Sequence, residues 1–144
     1  GNFSDPYAAE IMKDAKQMGI DHLIVMPGQI TESEKHWCYQ HCEAFLFPSL
    51  SEGFGLPVIE AMSFGKPTFI SDKTALPEIG GKVAFYWDNF DPEYICQTFI
   101  DGMRVAKLDP LFDQKIKAHA KQFIWDDAAK NYTEFYITLL NKEA

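Results

Sequence analysis

The chain has 144 residues, 47% hydrophobic and 24% charged, which suits one globular domain and excludes disordered and fibrous classes. Its 13 Lys and Arg against 21 Asp and Glu give a formal charge of −8, which would repel a phosphate backbone, so nucleic acid is excluded as a partner. No apolar run reaches the roughly 20 residues that span a bilayer, Gly1 to Pro6 carry no signal pattern, and Cys38, Cys42 and Cys96 read as reduced packing residues. A cytoplasmic location is therefore expected, with the inner face of the membrane open to a longer parent.

The first predicted element is a helix: Asp5 caps it, Pro6 suits its first position, Tyr7, Ala8, Ile11, Met12, Ala15 and Met18 form a stripe, and Gly19 stops it. Leu23-Ile24-Val25-Met26 reads as a short strand closed by Pro27-Gly28. Thr31 and Glu34 have the spacing of a capping box before a helix holding Trp37, Cys38 and His41. Then follow a buried strand at Ala44 to Phe47, a helix from Pro57, a strand at Pro67 to Ile70, a short helix at Leu76 to Ile79 and a strand at Val83 to Tyr86. From Pro92 onward the pattern is helical. It ends in a segment where Trp125, Ala128, Ala129, Tyr132, Phe135, Tyr136, Leu139 and Leu140 recur at helical spacing.

This alternation predicts an α/β fold, a Rossmann-like parallel sheet of about four strands with helices on both faces and a helical C-terminus. Such a sheet binds ligands beyond the carboxyl ends of its strands, so the loops after Met26, Phe47, Ile70 and Tyr86 are the informative ones. The loop after Phe47 runs from Pro48 through Ser51-Glu52-Gly53-Phe54-Gly55-Leu56-Pro57. Two glycines bracket Phe54 ahead of a helix that begins with proline, which leaves backbone N–H groups free to meet an anion at the positive end of the helix dipole. The chain has a single arginine, Arg104, so such a loop is its means of holding a diphosphate.

Glu60 is the only ionisable residue from Gly53 to Gly65 and sits one turn into an apolar helix. A carboxylate there needs a partner, and a ribose diol would be one. Glu52 precedes the glycines, so the two carboxylates can reach opposite ends of one extended ligand. On spacing alone, Glu52 as a solvated turn residue and Glu60 as a surface residue fit equally well. His36, Cys38, His41 and Cys42 crowd one short helix, but a structural zinc draws on two separated pairs, so packing is the expectation and no metal.

The stretch from Phe47-Pro48-Ser49 to Ala61-Met62, with Glu52 and Glu60 around Gly-Phe-Gly-Leu-Pro, resembles the signature of GT-B retaining glycosyltransferases of the sucrose-synthase and mannosyltransferase-like family. Gly65-Lys66-Pro67, Leu76-Pro77-Glu78 and the aspartates near Asp91 continue the resemblance. It implies that residues 1–144 form one partial nucleotide-sugar-binding domain, part of the C-terminal lobe of a GT-B fold. Glu52 would contact donor-sugar hydroxyls as the catalytic carboxylate. The backbone of Gly53, Phe54, Gly55 and Leu56 would hold sugar and diphosphate, and Glu60 would bind the ribose. Gln29 and Ile30 would frame the base, with Ser49, Ser71 and Glu78 as lesser candidates. The implied partner is a UDP-, GDP- or ADP-linked sugar, used as substrate without a metal or other cofactor.

The resemblance further implies earlier strands, with an arginine and a lysine that meet the diphosphate, and an acceptor-binding N-terminal lobe; no position here matches them. The expectation is a fragment that binds donor weakly and transfers nothing alone. The apolar stripe of the last helix either packs on this domain or favours self-association. Two rival functions stay open: a non-catalytic nucleotide-binding or interaction module, and a glycoside hydrolase. The hydrolase needs Glu52 and Glu60 about 5 to 10 Å apart on one sugar.

Overall fold

A computed structural model describes residues 6–142, and contacts divide the chain into two compact units, Gly1–Cys38 and Tyr39–Ala144. In the first unit, helix α1 (Pro6–Gln17) buries Ala15 and ends where Gly19 takes a φ of +72°, with the Ile20 N–H donating to the Ala15 carbonyl. The expected Asp5 cap lies outside the described residues. Helix α2 (Glu32–His41) starts on the predicted capping box. The Thr31 N–H donates to Glu34 Oε2 at 2.7 Å and the Glu34 N–H to Thr31 Oγ1 at 3.3 Å.

The strand expected at Leu23 to Met26 does not form. Asp21–Leu23 is a 3-10 turn and the following residues belong to no sheet. Val25 is 83% exposed, whereas Met26 lies with Ala8, Ala9 and Met12 of α1 around a small apolar cleft. An apolar run becomes a strand only when a neighbour takes up its backbone hydrogen bonds, and no described strand does so here.

The second unit holds a parallel sheet of three strands, one fewer than expected: β1 (Phe45–Phe47), β2 (Thr68–Ser71) and β3 (Phe85–Trp87), in that spatial order. Phe45 pairs with Thr68, and Phe69 with Phe85. Helix α3 (Leu56–Ser63) links β1 to β2, and α4 (Leu76–Gly80) links β2 to β3. Every residue of β2 is buried, as expected for a central strand covered on both faces.

On one face Ile70 packs with Val58 and Met62 of α3, Leu76 and Ile79 of α4, and Ile116 and Ala120 of α6 (Phe112–Ala120). On the other face Phe69 stacks on Phe85 at 4.8 Å and meets Phe99 of α5 (Pro92–Leu108) at 5.0 Å. A side chain at Gly102 would strike the Phe69 ring at 2.6 Å, so only glycine lets α5 lie this close to the sheet. β1 departs from the buried strand that its sequence suggests. Among the described residues it pairs on one side only, and Leu46, on the Phe69 face, is 48% exposed because α5 does not reach over it. The chain ends in α7 (Trp125–Lys142), none of whose described side chains is fully buried.

Candidate functional site

The loops after the three strands of the second unit gather at the carboxyl end of the sheet. Within them, Gly55 caps α3 at φ +105°, ψ 41°, a left-handed conformation in which a Cβ would meet Leu76 Cδ2 at 2.9 Å. Both the dihedral and the contact require glycine. No side chain caps this helix; the Val58 N–H donates to the Gly55 carbonyl, and Pro57 has no N–H. The Leu56 N–H, at the first helical position, has no acceptor within the helix and points with the positive end of the dipole. Gly53 differs: nothing lies within 4 Å of a Cβ built on it, so packing gives no reason for a glycine there.

Glu52 is half-buried, and its backbone N–H donates to Thr74 Oγ1 at 3.0 Å, a bond that joins the loop after β1 to the loop after β2. A second bond joins them nearby, from the hydroxyl of buried Ser71 to the Ser49 carbonyl. Ser71, proposed as a lesser ligand contact, thus spends its proton inside the protein. Ser49 is half-buried, and its own hydroxyl donates to the Ser51 carbonyl at 3.4 Å.

Glu60 is half-buried on α3, and Oε2 accepts from the Tyr39 hydroxyl at 3.1 Å. The need for a partner, expected for a carboxylate in an apolar helix, is therefore met within the protein by the Tyr39 hydroxyl. Tyr39 is buried, edge-on to Phe45 at 5.5 Å and against Phe64 at 6.0 Å, which fixes where its hydroxyl can go. Sequence reasoning missed Tyr39, one of two aromatics, with Trp37, in an otherwise polar helix.

Glu60 also lines an open cleft of about 490 Å³ together with Phe54, Leu56, Glu78, Phe123 and Trp125. The structure thus brings Phe54, Leu56, Glu60 and Glu78 together, with Phe54 edge-on to Phe123 at 6.3 Å. Glu52 does not line this cleft. Gln29 and Ile30 belong to the first unit, where both are exposed.

The lone arginine is occupied away from these loops: Arg104 pairs with Asp101 at 2.5 Å on α5. Among the described residues no group of three or more His, Cys, Asp or Glu is placed to hold a metal ion. Of the cysteines and histidines in and next to α2, Cys38 is exposed and Cys42 donates its thiol to the Tyr39 carbonyl at 3.6 Å. His119 serves packing, its Nε2 lying 2.7 Å from the Ile79 carbonyl. Tyr86 holds the end of α4 through a hydroxyl that donates to Gly81 O at 2.7 Å, and burial pushes its phenol up to about 12.

Residues 3–93 match the family Glycosyl transferases group 1, well over half of the chain. Similar proteins include the serotype-specific mannosyltransferase WbdA of Escherichia coli, 34% identical over 137 residues, which is 90% of this chain and 16% of that relative. The O-antigen chain mannosyltransferase B of Escherichia coli is 30% identical over 76% of this chain and 29% of its own length. A glycogen synthase of Streptococcus pneumoniae is 28% identical over 72% of this chain and 24% of its own length. The chain thus spans less than a third of each of these relatives.

Proposed function

The chain belongs to the glycosyl transferases group 1 family, and from that premise we propose that it forms donor-binding machinery of a retaining glycosyltransferase. The parent would move a hexose from a nucleoside-diphosphate sugar to an acceptor hydroxyl. The observation that carries the reading is the start of α3: a helix opened by a left-handed glycine, without a side-chain cap, between two half-buried glutamates. An anion is the ligand that such an opening suits, and a diphosphate needs no arginine to meet backbone N–H groups.

In this reading the diphosphate lies on the N–H groups of Gly53 to Leu56. Glu60, oriented by Tyr39, accepts from the ribose hydroxyls. Glu52 holds the sugar and stabilises charge at its reacting carbon, acting as an orienting and electrostatic group. The leaving diphosphate takes the acceptor's proton on the same face of the sugar, which retains the configuration; no metal takes part. Two of the relatives carry mannosyltransferase names and one is a glycogen synthase, so mannosyl and glucosyl donors come first in a test. The placement of Glu60, but not Glu52, on one cleft argues against a glycosidase pair, which must flank one bond.

Titration with UDP, GDP and ADP, and then with the matching sugar nucleotides, tests this. One nucleotide is expected to bind best, and Glu60→Ala should weaken it about tenfold, as expected for lost hydrogen bonds to a charged group. Failure of all three nucleotides would favour an interaction module; binding of free sugar without nucleotide would favour a hydrolase. We further propose self-association through the exposed apolar stripe of α7, which sedimentation as a clean monomer at high concentration would overturn.

A further inference from the structure

Thr74 lies between β2 and α4 and is the one non-glycine residue with positive φ among the described residues, at +52°. The Leu76 N–H donates to the Lys73 carbonyl at 3.2 Å, and Ala75 follows at φ −81°, ψ −14°. A positive φ at the first central position, the Ala75 angles at the second and the closing hydrogen bond are those of a type II′ turn, whose first central position is ordinarily glycine's. A β-branched residue is among the least suited to it, so the backbone here is strained.

What threonine has and glycine lacks is the hydroxyl, and its oxygen accepts the N–H of Glu52 at 3.0 Å, from 22 residues away. The neighbouring tie from Ser71 to Ser49 holds the start of the same loop, and Ser71 Oγ is in turn met by the Lys73 N–H at 3.4 Å. Beyond Glu52 comes Gly53, which nothing crowds. The Glu52 amide is therefore the point at which the loop is tied immediately before the uncrowded Gly53, ahead of the packed Gly55 that opens α3.

We infer that Thr74 is a positioning residue: at the expense of a strained turn, it fixes Glu52 and the start of the glycine segment in the conformation that meets the donor. The inference rests on the donor-binding reading above. It assigns the loop after β2 a part in the site without any contact to the ligand.

Three substitutions in the 144-residue chain test it, read by amide exchange at Glu52 and by titration with GDP-mannose and UDP-glucose. Thr74→Gly relaxes the turn and deletes the hydroxyl, Thr74→Val keeps the shape and deletes the acceptor, and Thr74→Ser keeps the hydroxyl. Exchange at Glu52 is expected to rise about tenfold in the glycine and valine variants, with donor affinity falling about as much, as for one lost hydrogen bond. The serine variant should restore both. The melting temperature of Thr74→Gly should equal or exceed that of the parent, which separates positioning from folding. Donor binding by the parent with no response at Glu52 or in affinity would overturn the role of Thr74 alone. Absence of any donor binding by the parent would overturn the reading beneath it, and the role with it.

Discussion

Helices α3 and α7 both present an apolar face in sequence, yet their fates differ. α3 buries Val58, Ala61 and Met62 completely and carries its glutamate toward a cleft. α7 is more than twice as long, yet Trp125 is 75% exposed and Leu140 70%. Helical periodicity states that a face exists; whether the chain covers it depends on what the sheet and its neighbours offer. Between β1 and β2 the chain must cross the sheet and α3 is pressed onto it, whereas among the described residues no strand follows α6 to draw α7 back across the sheet.

The largest effect that tests this contrast is truncation of the two faces. Met62→Ala should cost about 2–5 kcal/mol, because the cavity left in a closed core adds to the lost transfer energy. Leu140→Ala should change stability by less than about 0.5 kcal/mol, as surface substitutions do. Urea denaturation of the two variants measures the difference; equal losses would mean that α7 is packed in solution.

A smaller contrast lies within the start of α3. Gly55→Ala meets both a left-handed φ and the Leu76 side chain and should cost about 1–3 kcal/mol. Gly53→Ala meets no atom and should leave the melting curve unchanged. If Gly53→Ala nonetheless weakens nucleotide binding, the close approach that glycine allows belongs to the ligand. If it weakens neither, that glycine has no role in the site.

Most of the parallel sheet and its crossover helices could be read directly from the sequence, since Ala44 to Phe47, Pro67 to Ile70 and Val83 to Tyr86 are short runs of mostly apolar residues bounded by turns, and the strands fall within two residues of them. Leu23 to Met26 has the same local character and forms no strand, because pairing is not a property of the run itself. The glycine loop and the two glutamates of the candidate site are equally legible, because paired glycines before a helix and carboxylates beside an apolar stretch stand out in the sequence itself. Tyr39 and Thr74 are not. Their contacts join residues 21 and 22 positions apart, and a threonine in a glycine's conformation leaves no mark in composition or period.

The smallest expected effect compares helix starts, since α2 is capped by titratable chemistry and α3 is not. Backbone and hydroxyl hydrogen bonds from Thr31 hold the Glu34 carboxyl below its ordinary 4.5. A carboxyl whose folded pKa is depressed stabilises above its unfolded value, and that contribution is lost as pH falls through the folded one. Amide exchange at Thr31, normalised for intrinsic rate, should therefore quicken as pH drops below about 4.5, and Glu34→Gln should abolish the dependence. The amides at the start of α3 should show no such step, because Gly55 caps without a side chain. A step of equal size at both helices would mean that acid loosens the protein as a whole, and the distinction between a helix start closed by its own side chains and one left open for an anion would fall.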